Sequence, residues 1–240
     1  MSLLARLLNV FAVPGEVFDD IKVSVASSAN WLVPSLLLLV VSWVSAWLIL
    51  SQPAVQQQLR EMTDQVMQKL VEKGRLTQQQ ADLQRRGSDI GSKVGSYVSA
   101  TFVAFITPFG WGAILWAIGT KALKGKFQFM KAVEVVGVAS TISALGVIVK
   151  TLLVIGLGNM FAGTNPSILV KDFDPQKPSH SMLAVIDLTT FWVLAVRALG
   201  LSRLSGAPFL RAAWWVFAIW LSYTSLLLGI GLAVRAAFGL

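Results

Sequence analysis

Five long apolar blocks alternate with short charged segments along the 240 residues of the chain. They run over 31–50, 96–119, 132–157, 182–201 and 212–234. Each is close to or above the ~20 residues a helix needs to cross a hydrocarbon core. The apolar positions are continuous, not alternating, and the blocks are too long for tilted barrel strands, so they read as helices. Trp31, Trp47, Trp116, Trp214 and Trp215 fall near block edges, where an amphipathic ring suits headgroup depth. The pattern predicts an all-α, polytopic integral membrane protein with five transmembrane helices, organised as one domain over 1–240.

The segments between the blocks carry patterns of their own. In 1–30, Leu3, Leu4, Leu7, Leu8 and Phe11 recur at helical spacing behind Ser2, a residue placed to cap. Pro14 suits the first position of a second helix, with Glu16, Asp19 and Asp20 in its first turns where the helix dipole favours acids, and Val17, Phe18 and Ile21 on one face. Two short helices lying in the membrane interface are expected. A cleaved signal peptide is not, because the apolar block behind them is too long for a signal core. In the polar stretch 52–95, Val55, Leu59, Met62, Val66 and Leu70 share one helical face. Gly74 fits a helix stop and Thr77 a new cap, giving a second helix to about Arg86 and hence a helical loop between spans one and two.

Composition sharpens this picture. Charged residues make up 13% of the chain, against about 25% in soluble domains. The net charge of +8 is assigned to residues flanking spans beside anionic headgroups, not to nucleic acid. The absence of cysteine excludes disulfides and thiol chemistry. Four lysines, Lys121, Lys124, Lys126 and Lys131, crowd the short loop between the second and third blocks. By density this places that loop and the N-terminus in the cytoplasm and the C-terminus outside.

Three stretches together resemble the Yip domain (Ypt-interacting protein) family. They are "LLNVFAVPGEVFDDIK" ahead of the first block, "GTKALKGKFQFMKAVEVVGVAS" joining the second to the third, and "FWVLAVRALGLSRLSGAPFLRAAWW" joining the fourth to the fifth. After "VGVAS" the family pattern often continues with proline, where this chain has Thr141 and Ile142. The resemblance implies a five-span helical protein with a cytosolic N-terminus. Eukaryotic members act in vesicle traffic and contact Rab-type GTPases through a long cytosolic N-terminal region. With about 30 residues before its first block, this chain is similar to the short bacterial form, which implies a bacterial inner membrane and carries over no Rab binding.

Charges within spans are costly and mark candidate sites. Glu134 and Lys150 lie in the third block, Asp187 and Arg197 in the fourth. In antiparallel helices Lys150 and Asp187 reach similar depth near one end, and Glu134 and Arg197 near the other. Either pair is therefore within reach, though helical twist keeps both off a single straight seam. Pro108 should kink the second span. An outward contact surface is assigned to Pro14, Glu16, Phe18 and Asp19 together with Lys121, Lys124 and Lys126. "KDFDP" at 171–175 reads as an ordinary turn, and His180 is the only histidine. No HExxH, GxSxG, P-loop or dinucleotide fingerprint occurs. The reading is a non-enzymatic scaffold that organises the membrane or recruits partners and needs no cofactor or metal. Its partners are the lipid bilayer and other membrane proteins or further copies of itself, with no nucleic acid. The alternative is a transporter or channel subunit with a polar path between spans three and four.

Overall fold

The computed structural model describes residues 1–170, 173, 174 and 177–238, and every regular element among them is helical. The elements are α1 (Leu3–Asn9), α2 (Pro14–Val23), α3 (Ala29–Leu50), α4 (Pro53–Glu72), α5 (Gln78–Ala117), α6 (Phe129–Leu157), α7 (Pro178–Val185), α8 (Leu188–Ser205) and α9 (Phe209–Phe238). Four stretches are long and apolar enough to cross a membrane: α3, Ile90–Ala122, α6 and Phe209–Val234. A fifth follows if α7 and α8 form one broken span. The molecule is thus an all-α, multi-pass membrane protein, and it divides into two compact units.

The first unit comprises Met1–Ser42, Ala100–Ile148 and Leu188–Ser222. Its centre is the first half of α6, where every residue from Lys131 to Ile142 is buried. The run "KAVEVVGVASTI" is rich in small and β-branched side chains, which lets neighbouring backbones come close. A Cβ on Gly137 would fall on the Trp31 backbone of α3, and one on Gly200 of α8 would fall on the Val135 side chain. Against α8 lies α2, with Val17, Phe18 and Ile21 fully buried in the same core as Val135, Leu194 and Leu201. The amphipathic face of α2 is therefore covered by protein. That corrects the expectation of a helix resting on lipid through Phe18. α1 behaves differently: it turns Leu4 and Leu8 outward, 67% and 62% exposed, and its one charge inward.

The second unit comprises Trp43–Ser99, Val149–Asp187 and Tyr223–Leu240. The expected apolar face of α4 packs inward through Val55, which joins Val154 and Ala162, with Leu59 beside them. Gln58 fixes this contact from both ends of its amide. Its Nε2 donates to the Gly158 carbonyl at 2.7 Å and its Oε1 accepts from the Met160 N–H at 3.0 Å. α4 stops as expected at Gly74, whose φ of 66° suits a residue without Cβ. Thr77 and Gln80 then form a reciprocal capping box at the start of α5.

Two boundaries differ from the sequence reading. The loop helix does not end near Arg86: α5 runs unbroken for 40 residues into the second apolar block and through Pro108. Gly87, Gly91 and Gly95 weaken a helix but leave its backbone hydrogen bonds intact, so nothing stops propagation. The winding changes only in a π turn at Ile118–Ala122. The fourth block, in contrast, is interrupted. α7 ends at Val185, Ile186 leaves helical geometry with ψ 79°, and α8 starts at Leu188. Asp187 sits in the gap, where its carboxylate accepts from the Thr164 hydroxyl at 2.6 Å.

Candidate functional site

Charged side chains of the first unit converge where α1, α2, α3 and α6 meet. Ser2 caps α1 by accepting from the Ala5 N–H at 3.3 Å, and this helix presents Arg6 inward, 8% exposed. Its Nε donates to Asp20 Oδ2 at 2.8 Å, its Nη2 lies 2.7 Å from the same oxygen, and its Nη1 donates to Asn30 Oδ1 at 2.9 Å. One guanidinium thereby ties α1 to α2 and to the first turn of α3. The Met1 amino group, donating to Asp20 Oδ1 at 2.8 Å, holds the Asp20 carboxyl below the usual carboxylate range. Arg6 acts in the same direction, and partial burial opposes both.

A second cation closes the α2–α3 connection. Lys131, in the first turn of α6 and 7% exposed, donates to the Ile21 and Ser24 carbonyls, each at 2.7 Å. These carbonyls belong to the C-terminal end of α2, where a cation also meets the negative pole of the helix dipole. Its third contact is Glu134 Oε2 at 3.2 Å, and the other Glu134 oxygen accepts from the Ser27 N–H. Glu134 is fully buried. A buried carboxylate is tolerable only when its charge is paired and its oxygens are hydrogen-bonded, as both Glu134 oxygens are.

The four intramembrane candidates thus find other surroundings than those expected. Glu134 is paired with Lys131, one helical turn away, and not with Arg197. Arg197 is 6% exposed, its Nε makes no hydrogen bond, and its guanidinium carbon lies 4.9 Å from the Trp111 ring centroid. Lys150 is exposed and forms no ion pair with Asp187 among the described residues. Periodicity gave the depth of these residues but not which neighbour each one faces, and α6 turns Glu134 toward the α2–α3 linker.

The outward candidates separate in the same way. Glu16 and Asp19 are exposed, Pro14 is half-buried, and Phe18 is fully buried, so Phe18 leaves the contact surface. Lys121, Lys124 and Lys126 are exposed, whereas Lys131 of the same basic cluster points inward. Both exposed groups adjoin the C-terminal end of α8. Asp19 pairs with Arg203 at 3.3 Å and Lys22 donates to the Arg203 carbonyl at 2.8 Å. The lysine loop meets α8 two residues further on, at Gly125, where a Cβ would lie 2.6 Å from Ser205 Cα.

The sequence does not mark Arg6 or Asn30 as site residues by any motif, and it groups Lys131 with the outward basic loop. A signal existed: Arg6 is the lone charge in an apolar opening helix, and Asn30 directly precedes the first apolar block. Of "KDFDP", Lys171, Asp172 and Pro175 lie outside the described residues, and the Asp174 N–H donates to His180 Nδ1 at 3.0 Å. No three His, Asp or Glu side chains converge as metal ligands among the described residues.

No curated protein and no solved structure matches the chain. The Yip1 domain model matches residues 8–231, from the end of α1 through most of α9, and the chain belongs to that family.

Proposed function

We propose that this chain is a non-enzymatic scaffold, a single Yip-type domain that organises the membrane or recruits a membrane protein to its N-terminal end. One observation carries the reading. Two charged segments about 100 residues apart in sequence, Glu16–Asp19 and Lys121–Lys126, meet at Arg203 and Ser205 of α8. The inward charges Arg6, Lys131 and Glu134 hold α1, α2 and α6 together, so the outward ones stand on a fixed frame. Such a mixed-charge surface suits a partner of complementary charge pattern, because charged rims set orientation and exclude wrong partners. In this proposal the N-terminus faces the cytoplasm of a bacterial inner membrane and the C-terminus lies outside.

The test is cross-linking in intact membranes followed by purification in mild detergent. A defined partner should be lost both on Glu16→Lys/Asp19→Lys and on Lys121→Glu/Lys124→Glu/Lys126→Glu. Loss with one set alone would argue against a joint surface. Cytoplasmic labelling of a tag placed after Leu240 would overturn the orientation. The transporter alternative draws on Asp187, a carboxylate in a helix break, which is a common setting for ion sites. Flux through reconstituted protein that disappears with Asp187→Asn would favour it over the scaffold.

A further inference from the structure

Arg197 is a buried cation with no anion. Its Nε is buried without a hydrogen-bond partner, it forms no ion pair among the described residues, and its guanidinium lies over the face of Trp111. The ring offsets part of the positive charge but accepts none of the in-plane N–H groups in conventional geometry. Three of the acids at this end of the unit are occupied, Glu134 by Lys131 and the Ser27 N–H, Asp20 by Arg6 and Asp19 by Arg203, and the fourth, Glu16, is exposed on α2 and forms no ion pair with Arg197 among the described residues. A charge removed from water and left uncompensated is among the costliest features a fold can carry.

Helix register gives its depth. Gly200 of α8 meets Val135 of α6, and Thr189 meets Gly146. The two contacts share one antiparallel register, so Arg197 stands level with Val138. Its neighbour Gly137 is the residue that admits Trp31, near the start of α3. Arg197 therefore lies at the depth of a tryptophan at the edge of an apolar span, which is the depth of lipid headgroups. Glu134 lies about one turn nearer the start of α6. A planar guanidinium at that level matches the phosphate group, which it can engage through two parallel N–H donors.

We infer that Arg197 and Trp111 form a receptor for a phosphate group between α5 and α8, supplied by an anionic phospholipid of the leaflet on the N-terminal side. Trp111 fixes the guanidinium plane, and the phosphate provides the acceptors that the chain does not.

The experiment uses the full chain in detergent, with native mass spectrometry and thermal unfolding as readouts. Phosphatidylglycerol, phosphatidylcholine and inorganic phosphate are added separately. Wild type should retain phosphatidylglycerol with about tenfold preference over phosphatidylcholine, the size expected of one charge-assisted contact. Arg197→Gln should bring the two lipids level, while Lys121→Glu/Lys124→Glu/Lys126→Glu should leave the preference in place. Stabilisation by inorganic phosphate that Arg197→Gln abolishes would support the phosphate site with a soluble source in place of lipid. A preference unchanged in Arg197→Gln, or lost only with the lysine variant, overturns the inference. Should Arg197→Gln fail to fold, a photoactivatable phosphatidylglycerol on wild type decides the matter. Labelling of the peptides holding Trp111 and Arg197 supports the site, and labelling elsewhere alone overturns it.

Discussion

At the residue scale, the N-terminal half of the first unit is held by a few buried charges, each paired or hydrogen-bonded to more than one group. Glu134 shows what that implies. Glu134→Ala leaves the Lys131 ammonium with two carbonyls and no counter-charge and strands the Ser27 N–H. The expected cost is about 3 kcal/mol, the scale for breaking a buried pair from one side. Glu134→Gln keeps an acceptor for Ser27 and should cost less, and thermal unfolding in detergent would rank the two. Asp20 provides a pH test. Its folded carboxyl lies below the usual carboxylate range, so its contribution is fully present above that range and is lost as pH falls through the lower folded value. Unfolding followed from pH 5 to the acid limit should show this loss in wild type, and Asp20→Asn should flatten that part of the curve. Sequence reading identified Glu134 as unusual but named the wrong partner. Hydrophobic period reports the face of a helix, whereas pairing depends on how the α2–α3 linker crosses α6.

At the element scale, close helix contacts are fixed by absent side chains. Gly137→Ala puts a methyl group into the Trp31 backbone, which cannot rotate away as a side-chain tip can. The α3–α6 contact should open at a cost of about 1–3 kcal/mol, the range for overpacking. Gly110→Ala in α5 has nothing within 4 Å of the new Cβ and should be neutral or slightly stabilising, since alanine loses less entropy in a helix. Disulfide cross-linking between cysteines introduced on α3 and α6 would separate the two variants. The helices were readable from continuous apolar runs, and the Gly74 stop and Thr77 cap from turn chemistry. The uninterrupted α5 and the break at Asp187 were not. The expected end near Arg86 lies just ahead of Gly87, Gly91 and Gly95, and the helix propagates through all three. The break at 186–187 carries no proline or glycine, and Asp187 within it accepts a hydrogen bond from Thr164, 23 residues away in sequence.

At the scale of the whole molecule, lipid as the main solvent and the all-helical class were legible because they follow from composition and block length. The place of the N-terminal hairpin was not, because an amphipathic helix looks the same in sequence whether lipid or protein covers its apolar face. The structure gives α1 and α2 different roles. α2 completes the core through Val17, Phe18 and Ile21, while α1 turns Leu4 and Leu8 outward and inserts Arg6 as a peg. Removing residues 1–23 should therefore do more than detach an anchor. It uncovers Val135 and Leu201, and takes away Asp20 and the Ile21 carbonyl that Lys131 binds. The shortened chain should lose monodispersity in detergent and become sensitive to protease in 129–142, the buried part of α6. Removing only 1–5 spares Arg6 and all of α2, and should leave that segment protected. If the 24–240 chain instead stays monodisperse and protected, α2 is peripheral, and the frame on which Glu16, Asp19 and the lysine loop stand does not depend on it.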